Sequence, residues 1–293
     1  MSRTDPPPIR LHEDAELFRR AVNFTASETG YPPQLIEKDY FCTLLLEVLA
    51  AKSDDLVFKG GTCLAKVHAG FYRLSEDLDF VIPMATNAAR KERSARAAGL
   101  RETVAMLPRR LPVFRVAQPL SGANNSTQYV AVTAYPSLLR RQEESVKIEV
   151  GLREPLLTPA LDGAVRTLLL DPVSGQAGVR PIAMRCISKS EAFAEKFRAA
   201  LSRREVAIRD FYDIDYAIRH LELRPDDSGL VKLVQRKLAV PGNAPVDVSK
   251  DRLAALRQQL EPQLKPVLRA GDFAEFDLER AFTTVVEMAA RMT

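Results

Sequence analysis

The alternation of apolar and polar positions divides this chain into an α/β half and a helical half. Apolar residues recur with helical spacing over residues 33–51, which predicts a long helix after the break at Tyr31-Pro-Pro. A shorter helix is predicted over residues 13–25. Residues 1–10, with three consecutive prolines and no apolar periodicity, predict a disordered arm.

Short apolar runs predict the strands of the first half. They cover residues 56–58, 77–82, 114–117, 128–135 and 145–150. Helices are predicted over 62–71 and 88–107, and polar segments at 53–55 and 121–126 predict turns. The predicted fold class is therefore α/β (α+β), with a small mixed sheet flanked by helices.

The second half is predicted to be helical. Ser188-Lys-Ser-Glu191 fits a capping box, in which serine and glutamate satisfy each other's free backbone donors at a helix start. Further helices are predicted near 206–221, 228–237, 250–258 and 274–292. The predicted organisation is an arm and helix at 1–30, an α/β core at 31–155, a proline- and glycine-rich connection at 156–185, and a helical domain at 186–293.

Composition narrows the class of protein. The hydrophobic share of 46% and charged share of 27% are ordinary for globular proteins, and no apolar run approaches the roughly 18 residues of a membrane span. The N-terminus has no apolar stretch that fits a signal peptide. Cys42, Cys63 and Cys186 form no metal or disulfide spacing, which predicts small buried side chains. These features predict a cytoplasmic protein without a membrane partner.

The charge balance is mildly basic. A net charge of +4 is compatible with a nucleic-acid partner but does not require one. Arginine clusters at 90–101, 109–110, 140–141 and 203–204 could follow an RNA backbone. Each cluster alone is more typical of a solvated surface.

The first segment with candidate chemistry begins at Lys59. A predicted strand runs into Gly60 and Gly61, and a predicted helix follows. Glycines allow a close backbone approach, and a helix start presents free N–H groups that suit a triphosphate. Thr62 can cap this helix or contact a phosphate. The Walker A pattern is absent, and the glycine pair alone is more typical of a plain strand–turn–helix connection.

The second segment holds two carboxylates. Asp77 and Asp79 lie two apart at a strand start, so both point to one face while Leu78 and Phe80 point into the core. Adjacent carboxylates repel unless a cation lies between them, which favours a Mg²⁺ site. The alternative is an Asp-rich turn before a strand.

The third segment is a strand with Glu149 between two apolar residues. Lys147 and Glu149 share its polar face, so Glu149 fits a third metal ligand, although alone it fits an ion pair on a half-exposed strand. The order of the three segments favours a shared metal site over the separate structural interpretation of each segment. A glycine turn, a same-face aspartate pair and a distant acid are the parts that two-metal phosphoryl transfer requires.

Together these motifs resemble the AbiEii/AbiGii-type nucleotidyltransferase toxins, a MenT-like branch of the DNA polymerase β superfamily. The resemblance covers roughly residues 30–220. It rests on Lys59-Gly-Gly-Thr-Cys-Leu-Ala-Lys66, Arg73-x-Ser-x-Asp77-x-Asp79, Glu37-Lys-Asp-Tyr40 and Glu195-Lys196 with Arg209-Asp210-Phe-Tyr-Asp213. It implies a polymerase-β-like core and a helical C-terminal domain.

The implied activity is transfer of a nucleoside monophosphate from an NTP to RNA, with the tRNA 3′ end as expected acceptor and Mg²⁺ or Mn²⁺ as cofactor. The implied setting is a type IV toxin–antitoxin or abortive-infection system with a separately encoded antitoxin. The alternatives are a kinase-like toxin, with Thr62 as one acceptor, and a catalytically inactive nucleic-acid-binding module. The intact set of Asp77, Asp79 and Glu149 argues against the inactive module.

Site residues follow from the motifs and the resemblance. The expected metal ligands are Asp77, Asp79 and Glu149. The resemblance implies nucleotide contact by Lys196 and an active-site or structural role for Asp213, although spacing alone favours a solvated lysine. The Lys196→Ala substitution is accordingly expected to change the free energy of unfolding by only about 0.5 kcal/mol. The expected catalytic residues are Asp77, Asp79, Lys196 and Asp213, and the expected nucleotide-binding residues are Lys59, Gly60, Gly61, Thr62, Lys66 and Lys196.

Overall fold

The computed structural model describes residues 10–51 and 55–292. Almost all of the predicted arm and most of the predicted turn at 53–55 lie outside these ranges. Helices α1 (Ala15–Thr29) and α2 (Pro33–Ala50) confirm the two helices predicted at the N-terminus. The carboxylate of Asp14 accepts hydrogen bonds from the first turn of α1, and Gly30 ends that helix with φ of 74°.

A seven-stranded mixed sheet forms the centre of the molecule, in the order β3-β4-β5-β2-β1-β7-β6. Its strands are β1 (Val57–Lys59), β2 (Leu78–Val81), β3 (Arg115–Ala123), β4 (Gln128–Pro136), β5 (Glu143–Gly151), β6 (Leu161–Val165) and β7 (Ile182–Cys186). The β1–β7 and β2–β5 pairs are parallel and the others antiparallel. This confirms the mixed α/β fold class.

The register of the three central strands sets up the site. Lys59 of β1 lies opposite Asp79 of β2, and Asp79 lies opposite Glu149 of β5. The neighbouring side chains of β2, Leu78 and Phe80, are buried on the other face. Because alternate residues of a strand share a face, three charged residues form a row across the sheet.

The sheet is larger than the sequence pattern predicts. The segment at 156–185, expected as a connection only, contributes β6 and β7 to the sheet. The pattern conceals β6 because most of its side chains are exposed and Gly163 lies within it. A Cβ on Gly163 would stand 2.8 Å from the Cys186 sulfur, so this strand pair requires glycine there.

Helix ends also differ from the predictions. The helix expected at 62–71 is α3 (Gly60–Cys63) followed by a π-turn (Leu64–His68). The single helix expected at 88–107 is broken into the three short helices α4 (Arg90–Arg96), α5 (Ala98–Ala105) and α6 (Leu107–Arg110). The interruptions follow the mixed apolar pattern, which does not sustain one buried stripe.

The predicted helical half is confirmed. It contains α7 (Lys189–Ser202), α8 (Ile208–His220), α9 (Ser228–Leu238), α10 (Lys250–Arg257), α11 (Ala270–Glu275) and α12 (Leu278–Ala290). Only half of the expected capping box forms. Ser188 accepts from the backbone N–H of Glu191, but the Glu191 carboxylate accepts from the backbone of Leu157 and Thr158 instead. Within the described ranges, no helix has the length and apolar character to cross a membrane.

Candidate active site

A cleft of about 450 Å³ lies between the central strands and the helical half. One wall carries the row from Lys59 to Glu149, and the other is formed by α7 and the start of α8. Of the predicted site residues, the cleft brings together Lys59, Gly60, Gly61, Asp77, Asp79, Glu149 and Lys196.

Two glycines shape the turn at the floor of the cleft. Gly60 has φ of +75°, and a Cβ there would stand 2.2 Å from a carboxylate oxygen of Asp79. A Cβ on Gly61 would stand 2.5 Å from the guanidinium of Arg73. Gly60 is therefore required both for its positive φ and for the close approach of the backbone to Asp79, and Gly61 is required for the close approach to Arg73.

The acidic residues of the cleft differ in electrostatic environment. Burial, reinforced by Glu149, raises the pKa of Asp79 to about 6 against the opposing influence of Lys59. Burial alone would raise the pKa of Glu149 as well. The ammonium of Lys147 at 2.7 Å and the amide of Gln128 at 2.7 Å outweigh it and lower that pKa. Asp79 thus carries negative charge that its neighbours leave under-compensated.

The carboxylate oxygens of Asp77, Asp79 and Glu149 are the kind of ligand that a hard divalent cation prefers. Asp77 immediately precedes β2 and Asp79 is the second residue of that strand, while Glu149 lies opposite Asp79 on β5. All three line the cleft. Among residues 10–51 and 55–292, no three His, Cys, Asp or Glu side chains stand close enough together to hold an ion. Glu149 instead points to Lys147 and Gln128. A cation between the carboxylates would offset the burial and the neighbouring charge of Glu149, which together raise the pKa of Asp79.

Lys59 is held on the helical side of the cleft. Its ammonium contacts the Glu195 carboxylate at 3.0 Å, and Glu195 also accepts from Lys237 of α9 at 3.1 Å. Lys237 is 2% exposed and pairs in addition with Glu154 and Glu191. Burial opposes ionisation of Glu195, but the two lysines hold its pKa well below the usual range. A buried ion network therefore links the active-site strand to α9.

Lys196 lies at the cleft with two carboxylate partners. Its ammonium is 2.8 Å from both Asp210 and Asp213, and its side chain is 13% exposed. Burial opposes the charged lysine, but these carboxylates raise its pKa. Asp213 is fully buried and also accepts from Arg73 and Tyr72. Lys196 is therefore not the solvated lysine that spacing alone favours. Asp213 touches the cleft only through Lys196 and Arg73.

Two expected nucleotide-binding residues lie away from the cleft lining. Lys66 is buried, with its ammonium 2.6 Å from Asp39 and 2.8 Å from the hydroxyl of Thr43. Thr62 is also buried, and its hydroxyl donates to the carbonyl of Asp77. The direct nucleotide contacts expected of Lys66 and Thr62 are corrected accordingly. Lys66 ties α2 to the π-turn, and Thr62 holds the chain just before β2.

Several residues in the cleft or directly behind it escape prediction from the sequence. Gln128 and Lys237 carry no motif, because their partners come from distant segments. Glu195 and Arg73 lie within the motifs that carry the resemblance, but only their contacts show what they do. No periodicity in the sequence marks these four residues as partners.

Comparison with known proteins identifies the family. A family model described as "Nucleotidyl transferase AbiEii toxin, Type IV TA system" matches residues 43–287. The chain belongs to the AbiEii nucleotidyltransferase toxin family. Its cleft is thus the candidate active site of an AbiEii toxin. A comparison with curated proteins gives no match.

A solved structure shares the fold of this AbiEii protein. The crystal structure of JHP933 from Helicobacter pylori is 16% identical, with a TM-score of 0.52, over 89% of this chain and 93% of JHP933. A second H. pylori structure, of a protein assigned as a nucleotidyltransferase, is 17% identical, with a TM-score of 0.48, over 88% of this chain and 94% of that one. The likeness to JHP933 extends through both the sheet and the helical half.

Proposed function

We propose that this AbiEii toxin is a metal-dependent enzyme that transfers a nucleoside monophosphate from an NTP to RNA, with the tRNA 3′ end as acceptor. The observation that carries the proposal is the row of Lys59, Asp79 and Glu149 in register on three adjacent strands. The row lies against the Gly60 turn, which lets a ligand approach the backbone closely.

The proposed metal ligands are Asp77, Asp79 and Glu149, with Mg²⁺ or Mn²⁺ as the cation. A bound cation would neutralise charge on the triphosphate and on the leaving pyrophosphate. The chain's own part is to bring Asp77 and Asp79 to the cleft and to place Glu149 opposite Asp79. Glu149 would exchange its contact with Lys147 for the cation. Glu195 holds Lys59 toward the helices, which leaves Asp79 open to a cation.

The proposed acceptor and partners follow from the family and the charge. Arg203, just after the end of α7, lines the helical wall of the cleft, and a polyanionic RNA end entering there would meet it. A type IV system pairs its toxin with an antitoxin, which we propose is a separately encoded protein. We propose the cytoplasm as the compartment, because Cys42, Cys63 and Cys186 are all unpaired thiols.

The test uses α-³²P- and γ-³²P-labelled NTPs in parallel, with tRNA, Mg²⁺ and purified protein. We expect label from the α position on RNA and none from the γ position. The Asp79→Asn variant should lose transfer, and the matched Asp226→Asn change, at an exposed aspartate outside the cleft, should retain it. Transfer by Asp79→Asn at the wild-type rate would exclude a metal-binding role for Asp79.

The kinase-like alternative receives little support from the position of Thr62. Its hydroxyl is buried and bonded to the Asp77 carbonyl, so it is not presented as an acceptor for phosphate. The same radiolabel experiment separates the two reactions. Label that comes only from the γ position and appears only on protein would show that the reaction is protein phosphorylation and not nucleotidyl transfer.

A further inference from the structure

The basic residues of the cleft fall into two groups, those that already pair with carboxylates and those that do not. Eight lysine and arginine side chains line the cleft. Six of them form ion pairs within the chain: Lys59, Arg73, Lys147, Arg153, Lys196 and Arg203. The remaining two, Arg198 and Arg209, form no ion pair or side-chain hydrogen bond with any described residue.

The two arginines occupy the wall opposite the acidic row. Arg198 lies three residues after Glu195 on α7, and Arg209 lies next to Asp210 at the start of α8. Both are partly buried. Burial raises the pKa of Glu195, but the positive charges of Lys59, Lys237 and, more weakly, Arg198 lower it. Their guanidinium groups thus remain available within the cleft.

We infer that Arg198 and Arg209 bind the terminal phosphates of the NTP, an assignment that rests on the proposed nucleotidyl transfer. A phosphate chain needs cations that are not already neutralised, since displacing a buried ion pair leaves a carboxylate uncompensated. Lys196 would have to leave both Asp210 and Asp213 to serve this purpose, and Lys59 would have to leave Glu195. Guanidinium groups also match phosphate oxygens in a bidentate manner.

The assignment divides the cleft by charge. The acidic wall would hold the metal near the reacting phosphate, and the two arginines would hold the end of the triphosphate that leaves as pyrophosphate. Lys196 then has a different task. It joins α7 to α8 through Asp210 and Asp213, and so positions both arginine-bearing helices.

The test measures binding of inorganic tripolyphosphate, which carries the phosphate chain without base, sugar or acceptor. Titration calorimetry with the full chain, at low ionic strength, compares wild type, Arg198→Gln, Arg209→Gln and the double variant. The matched control is Arg236→Gln, an exposed arginine on α9 outside the cleft. We expect each cleft variant to weaken binding about tenfold, as loss of one charged hydrogen-bonding partner predicts, and the control to bind as wild type does.

A second measurement distinguishes binding of the NTP phosphates from binding of the RNA backbone. In transfer assays the cleft variants should raise the KM for NTP and leave the KM for tRNA unchanged. Unchanged tripolyphosphate affinity with a raised KM for tRNA would overturn the inference and assign the arginines to the acceptor backbone. Wild-type protein that binds no tripolyphosphate would also overturn it. Transfer of α-label to RNA is scored separately, so failure of the proposed function is distinguishable.

Discussion

Lys237 offers the sharpest test of the ion network behind the active site. Its ammonium lies 2.8 Å from Glu191, 3.1 Å from Glu195 and 3.2 Å from Glu154, and its side chain is 2% exposed. Replacement by methionine preserves the length of the side chain and removes the charge. Three carboxylates then lose their shared cation.

The expected cost follows from what each carboxylate retains. Glu195 keeps Lys59, Glu154 keeps Arg153, and Glu191 keeps the backbone donors near Thr158. The loss should therefore resemble one broken buried ion pair rather than three, about 3–5 kcal/mol of unfolding free energy. With an unfolding entropy of roughly 2.1 cal/mol/K per residue, a chain of 293 residues should melt about 5–8 °C lower.

The pH dependence provides a second signature. Neighbouring cations hold the pKa values of Glu154 and Glu195 below the ordinary value, although burial opposes them. A carboxyl with a depressed folded-state pKa stabilises the fold above its unfolded pKa, roughly 4.3, and loses that contribution as pH falls. The difference in unfolding free energy between wild type and Lys237→Met should thus be constant from about pH 6 to about pH 9. It should narrow below about pH 4.5, where the carboxyl groups become protonated.

Urea denaturation followed by circular dichroism at several pH values measures both quantities. The matched control is Lys232→Met, at an exposed lysine on the same helix, which should change stability by less than about 0.5 kcal/mol. If Lys237→Met costs less than about 1 kcal/mol at neutral pH, or if its cost does not shrink in acid, the account of Lys237 as a shared counter-ion is refuted.

Three further outcomes are expected. Gly60→Ala should lower the free energy of unfolding by more than about 2 kcal/mol and abolish transfer, because the new Cβ would overlap Asp79 and the backbone has positive φ there. The control Gly99→Ala, in open space on α5, should leave the melting temperature unchanged or raise it. Asp79→Asn should stabilise the metal-free protein by roughly 1–2 kcal/mol above about pH 6 and not below about pH 4, because a carboxyl with a raised folded-state pKa costs stability as pH rises. Equal melting temperatures of wild type and variant at about pH 8 would contradict this. Lys196→Ala should cost about 1–3 kcal/mol in urea denaturation, more than a surface residue, because Asp210 and Asp213 lose a buried partner; a cost below about 0.5 kcal/mol would restore the solvated-lysine interpretation.

The sequence by itself determined the local features of the candidate site. The two-residue spacing of Asp77 and Asp79 implies a shared face in any strand, and the alternation around Glu149 does the same for its own strand. The glycine pair after an apolar run predicted a tight turn before a helix. Each of these depends on neighbours along the chain, which is why periodicity and turn chemistry were sufficient.

Only the tertiary structure decided which charges meet. Strand register placed Glu149 beside Asp79, and the packing of α9 against α7 brought Lys237 to Glu195. The contact of Leu64–His68 with α2 buried Lys66 against Asp39, away from the cleft. Arg198 and Arg209 were left in the cleft with no ion-pair partner among the described residues. Ion pairing depends on distances between elements remote in sequence, which local periodicity does not encode. The strands β6 and β7 were missed for a related reason, since pairing with a neighbour, more than their own apolar pattern, makes them strands.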